Sequence, residues 1–171
     1  MLLRFGTICR SRGEALGTLH GLTVEPSERL LLRVIIEEPQ ADPLVRTRIP
    51  FGRIDHGDRD QIVVGMPAAE FRALSTRDPV QGRSAGPGRR RRGDEPSEVL
   101  LTARARVECR DGEVGNLTGL VVDARTGDVE AIVVPMGMPV TRDLFIGADQ
   151  MADLRDERVG LKCDLNDLAN Y

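Results

Sequence analysis

Few residues in this chain have the types and the spacing that chemistry needs. His20 and His56 are the two histidines, the side chains whose ordinary titration lies near neutral pH. His56 stands in Asp55-His56-Gly57-Asp58, a hydrophilic turn with the donors for Ca²⁺ or a transition metal, though its composition reads more simply as a solvated turn. No nucleophile stands beside a base in a known motif, and there is no H-E-x-x-H. The glycines at 13 and 17, and those between 82 and 88, lack the Lys-Ser/Thr ending that a phosphate-cradling loop requires. Cys9, Cys109 and Cys163 are odd in number, far apart and without a C-x-x-C. That spacing argues against a disulfide framework or a zinc site and for buried free thiols in a reducing cytoplasm. The residues predict a protein that is not an enzyme, with no catalytic residue, cofactor or metal.

Position, rather than chemistry, is what the sequence specifies. Residues 107–134 (VECRDGEVGNLTGLVVDARTGDVEAIVV) have a degraded copy at residues 8–36 (ICRSRGEALGTLHGLTVEPSERLLLRVII). Gly17, Leu19, Gly21, Leu22, Val24 and Glu25 fall opposite Gly115, Leu117, Gly119, Leu120, Val122 and Asp123. The tails match as well, residues 60–64 against 157–161 and residues 69–71 against 166–168. One fold is written twice. The repeat divides the chain into residues 1–74, a connecting stretch 75–98, and residues 99–171. Each copy of roughly 70 residues is near the lower size limit for a core of its own.

Glu25 and Asp123 are the acidic position common to both copies. As chemistry this would be an ion ligand or a general base. No second carboxylate or histidine accompanies it at fixed spacing, so a carboxylate that starts a turn by accepting backbone N–H bonds is the better reading. Neither histidine is shared, because Thr118 stands opposite His20 and Asp153 near the place of His56.

The elements that position these residues read as short strands. Residues 2–9 open with β-forming side chains and end at Ser11-Arg12-Gly13. In the next strand, 16–24, Leu19 and Leu22 are three apart with Gly21 between them. A slip in a period of two at a glycine predicts a bulge or sharp bend where the sheet curls, and Leu117, Gly119 and Leu120 repeat it. Residues 30–36 and 129–134 are nearly continuous aliphatics and read as central strands covered on both faces. Strands at 45–49 and 140–146 follow, then short ones at 62–64 and 159–161. Each copy ends in a short helix, 67–74 and 166–168, with Pro67 suited to a first helical turn.

These patterns resemble the PRC-barrel family, small β-barrels found in the H subunit of photosynthetic reaction centres and in a ribosome-maturation factor. The family's Gly-x-Val-x-Asp strand signature with its Gly turn is similar to Gly115-Asn116-Leu117-Thr118-Gly119-Leu120-Val121-Val122-Asp123 with Thr126-Gly127. Leu144-Phe145-Ile146 resembles its later strand, and residues 164–171 resemble the short helix that often ends such domains. Residues 100–171 carry the resemblance; residues 2–74 share it more loosely, with Glu25-Pro26-Ser27-Glu28-Arg29 in place of the Asp and Gly turn. The resemblance implies an all-β fold of two small PRC-like β-barrels, each closed by a short C-terminal helix. It implies docking to other macromolecules and no reaction.

Composition bounds the partners. The net charge is −3, which leaves no overall basic footprint for nucleic acid. Residues 75–97 are rich in Gly, Pro, Ser and Arg and nearly free of large apolar side chains, the composition of a flexible tether. Within it, Arg89, Arg90, Arg91 and Arg92 could contact the phosphates of a nucleic acid, although Asp94 and Glu95 follow directly. Pro135-Met136-Gly137-Met138-Pro139 is an apolar loop whose Met136 and Met138 could adapt to a partner or fold over the barrel mouth. No apolar run reaches the ~20 residues of a membrane helix, and a cytoplasmic protein is expected. The sequence therefore predicts a non-catalytic interaction module or scaffold, with a protein partner and self-association possible. The alternative is an accessory factor in RNA or ribosome assembly that contacts phosphates through the tether.

Overall fold

The doubled sequence folds into a doubled order of strands. The computed structural model describes residues 1–38, 44–75, 98–136 and 142–168, so all but the ends of the predicted tether lies outside the described residues. The first copy runs β1 (Leu2–Arg4), β2 (Ile8–Ser11), β3 (Glu14–Glu25), β4 (Leu30–Glu38) and β5 (Val45–Pro50). A 3-10 turn (Phe51–Arg53), β6 (Ile54–Gly57), β7 (Gln61–Val64) and α1 (Ala68–Ser75) complete it. The second copy repeats that order with β8 (Val99–Thr102), β9 (Arg106–Glu108), β10 (Glu113–Asn116), β11 (Gly119–Val122) and β12 (Val129–Met136). It continues through β13 (Arg142–Gly147), a 3-10 turn (Ala148–Gln150), β14 (Met151–Arg155), β15 (Arg158–Leu161) and α2 (Leu165–Leu168). The fold is all-β, with one short helix at the end of each copy.

The predicted slip at the glycines is real and governs the curl. In the β3–β4 ladder Leu19 pairs Ile36 and Gly21 pairs Ile35, leaving His20 as the extra residue of a bulge. In the second copy the same place, Leu117-Thr118, breaks the strand into β10 and β11. Gly17 and Gly115 share φ 152°, and a Cβ on Gly17 would lie 2.3 Å from the Glu37 carbonyl oxygen. Only glycine lets the backbone pass so close. β4 and β12 are the central strands, and consecutive buried residues (Val34, Ile35, Ile36; Ile132, Val133, Val134) confirm that both of their faces are covered.

The first strand of each copy is not laid on its own copy. β1 pairs antiparallel with β11, Leu3 opposite Leu120 and Arg4 opposite Gly119. β8 pairs antiparallel with β3, Leu101 opposite Leu22 and Thr102 opposite Gly21. These are equivalent residues in equivalent register, so the two copies exchange their first strands reciprocally. The pairing is close enough that a Cβ on Gly119 would stand 2.4 Å from the Leu3 carbonyl oxygen. The symmetry has a visible centre. Leu30 bridges Asp128, its own equivalent, while Leu31 N–H donates to the Gly127 carbonyl and Val129 N–H to the Arg29 carbonyl, both at 2.9 Å.

Around this exchange, one sheet runs β5-β4-β3-β2-β7-β6 with β8 also on β3. The others run β1-β11-β12-β13 and β10-β9-β15-β14. β2 and β7, like β9 and β15, pair in parallel. These are curled half-barrels. The ladders among the described residues end at β5 and β6, and at β13 and β14, with a 3-10 turn rather than a pairing between each pair, so they stop short of two closed barrels. A single hydrophobic cluster draws on both copies, from Leu3, Leu22 and Phe71 to Leu101, Leu120 and Leu168.

Among the described residues, one buried side-chain polar atom in that interior has no hydrogen-bond partner. The Thr23 hydroxyl is buried and makes no hydrogen bond, whereas its equivalent in the second copy is Val121. A buried unsatisfied hydroxyl costs about 1–3 kcal/mol, and valine has nearly the same shape. Thr23→Val is expected to raise stability by about 1 kcal/mol, read as a melting-temperature gain of roughly 2–4 °C in a scan of the full chain.

Candidate functional site

The sequence candidates converge only in part. Met136 ends β12, pairs with Arg142 of β13, and is half-buried against the rim of the core. Met138, and Arg89, Arg90, Arg91 and Arg92, lie outside the described residues.

On the opposite face of the same sheet stands a feature that sequence reasoning missed. β13 alternates, with Leu144 and Ile146 turned into the core and Asp143 and Phe145 on the outer face. Phe145 remains 44% exposed on a strand whose other edge carries no pairing among the described residues. Asp143 is held at 2.8 Å by the Arg4 guanidinium, which arrives on the exchanged β1, and at 3.4 Å by Arg59. The signal was present in Leu144-Phe145-Ile146. Three apolar residues in a strand with one buried face must turn the middle one outward.

The equivalent corner of the first copy is more polar. Glu37 Oε2 accepts from Arg46 Nε at 2.8 Å and lies 3.1 Å from His20 Nδ1. The exchanged β8 brings Thr102, whose hydroxyl contacts both carboxylate oxygens of Glu157 at 2.9 Å. Burial and then the Arg46 charge push the His20 pKa below 6.5; Glu37 and Glu157 oppose this, and Arg104 adds to it. The bulge at His20 therefore carries a neutral imidazole at neutral pH. In the unfolded chain the ring takes up its proton at a higher pH than in the folded one. Stability from this group is thus complete above the ordinary 6.5 and is lost as pH falls from there through the lowered folded value. His20→Gln is expected to flatten the fall in melting temperature just below pH 6.5, leaving the steeper carboxylate limb at lower pH in place.

Glu25 and Asp123 are turn carboxylates. Glu25 accepts from the Ser27 hydroxyl at 2.6 Å and the Glu28 N–H at 2.5 Å; Asp123 accepts from the N–H groups of Arg125 and Thr126 at 2.7 and 3.0 Å. Those donors favour the charged form and lower both pKa values: the Ser27 hydroxyl first for Glu25, the Thr126 N–H first for Asp123. His56 faces Asp58 at 3.1 Å, and Asp58 in turn accepts from the N–H groups of Asp60 and Gln61. His20, Glu25 and Asp123 thus each bond a different set of neighbours. Among the described residues, no three of His, Cys, Asp and Glu gather as a metal cage would need, and no helix is long and apolar enough to cross a membrane.

A scan against protein-family models matches none of them, and a search of curated proteins returns no match.

Proposed function

We propose that the chain is a non-catalytic docking module, a fused pair of PRC-like half-barrels that presents the outer face of β13 to a protein partner. The observation that carries this reading is Phe145, an exposed aromatic on an edge strand, beside the fixed Asp143–Arg4–Arg59 cluster. Aromatic side chains, Phe among them, and Arg are enriched at protein interfaces. Met136 is not part of this surface: it pairs with Arg142, on the core side of the sheet with Leu144 and Ile146, and packs against the core. Fusion of two similar half-barrels also supports a scaffold, since a second contact on the same chain is made at raised effective concentration.

The test compares capture of partners from source lysate by the wild type and by Phe145→Ser, with and without RNase. Equal melting temperatures for the two proteins establish that the variant is folded. Partners that survive RNase and are lost by Phe145→Ser support the docking reading. Capture unaffected by the substitution sinks it, and loss of every partner on RNase treatment replaces it with the RNA-assembly role.

A further inference from the structure

Two of the three cysteines, which look unrelated in sequence, are brought together by the fold. Cys109 follows β9 and Cys163 follows β15, two strands that run parallel with Val107 opposite Val159. Just past the ladder the Arg110 N–H donates to the Cys163 carbonyl at 3.2 Å, and the two Sγ atoms come within 3.7 Å. Both are free thiols, Cys109 only 9% exposed and Cys163 half-buried at the surface.

The duplicated fold shows what this place does. In the first copy the residues at the same positions are Ser11 and Met66, and the Ser11 hydroxyl donates to the Met66 carbonyl at 2.5 Å. Both copies therefore clasp the end of the parallel strand pair just before the helix. The first uses a hydroxyl and a carbonyl; the second sets two sulfur atoms face to face.

The geometry points to a modification site: we propose that Cys109 and Cys163 form a reversible intrachain disulfide by exchange with a small-molecule disulfide. Cys163, on the solvent side, loses its proton to water and attacks one sulfur of the incoming disulfide. That forms a mixed disulfide and expels the first small thiolate. Cys109 then loses its proton and attacks Cys163 Sγ, forming the protein S–S bond and expelling the second thiolate. Both thiolates take up protons. Two protein thiols are oxidised by two electrons, and one small disulfide is reduced to two thiols. Burial, the neighbouring Cys163 thiol and then the Asp111 and Asp164 carboxylates push the Cys109 thiol up to about 12. Because the thiolate is the nucleophile, the second step is the slow one.

The bond would anchor the segment entering α2 to the end of β9. α2 covers the core with the buried Leu168, and its first N–H, on Leu165, is already held by Asp111 at 2.8 Å. Cys9 is the internal control. It is buried, its thiol is pushed up to about 12 by burial, and it belongs to the first copy.

The experiment equilibrates the folded full chain with oxidised and reduced glutathione, quenches with acid, denatures, and labels free thiols. The expected result is one labelled cysteine, Cys9, in the oxidised sample, and a Cys109–Cys163 peptide that disappears on reduction. The oxidised protein should remain a single chain and melt roughly 5–10 °C higher than the reduced one. Cys163→Ser and Cys109→Ser, tested separately, should each abolish that rise while leaving the reduced melting temperature within a few degrees. Three labelled thiols after oxidation would overturn the proposal. So would glutathione that stays on Cys163 without being displaced, a link between chains, or a bond that lowers the melting temperature.

Discussion

Leu3→Ala is expected to destabilise the second copy more than the first, although Leu3 lies in the opening strand of the first. Leu3 is fully buried and pairs with Leu120 across the exchanged ladder. Truncating a buried leucine costs about 2–5 kcal/mol, and here the cavity opens beneath β11 rather than beneath β3. Hydrogen exchange locates the effect. Amide protection should fall first in residues 119–122 and 129–134, with residues 14–24 following only as far as the whole protein opens. Leu101→Ala, at the equivalent place in β8, should give the reciprocal pattern, loosening residues 21–24 and their β4 partners. Loss confined to the copy that carries each substitution would contradict the exchange.

Cutting the chain between its copies should not separate them. With a protease site placed within residues 76–97, the cleaved protein is expected to run in size exclusion at the mass of the intact chain. It should melt in one transition that now depends on concentration, because the covalent tie has become a bimolecular one. Each fragment would hold a strand of the other: β1 along β11, β8 along β3, with the Leu30–Asp128 bridge between them. The side chains reinforce this. Arg29 donates to the Ala148 and Met151 carbonyls at 2.7 and 3.1 Å, and Arg33 meets Glu98 at 2.5 Å. Fragments that part in native buffer would show that the exchanged strands contribute little.

Much of this fold was legible in the sequence because the signals were local. The slip around Gly21 and Gly119, the turn carboxylates Glu25 and Asp123, and the aliphatic runs of β4 and β12 each state their structure within a few residues. β6 and β14 were missed. Ile54-Asp55-His56-Gly57 is polar enough to read as a turn, and only the ladder to β7 makes it a strand. The exchange could not be read at all. Leu2-Leu3 and Leu100-Leu101 present the same apolar pattern whichever Gly-Leu strand they cover, and each copy offers the same acceptor. The candidate site failed for a related reason. Phe145 was not singled out because it stands between two apolar neighbours in one strand, and Cys109 and Cys163 are 54 residues apart, joined only by the parallel pairing of β9 with β15.

The reciprocal exchange also sets a schedule for synthesis. β1 leaves the ribosome long before its partner β11, and the Met1 amine bonds to a carbonyl 121 residues further on. Until residues 99–102 have been made, the edge of β3 from Gly21 to Val24 has no cover, and such edges recruit other chains. Contacts this distant slow folding, since long loops must close before they are rewarded. Nascent chains halted before β8 would therefore be the species most prone to aggregate. The exposed edge of β3 is closed only when the second copy supplies its strand β8.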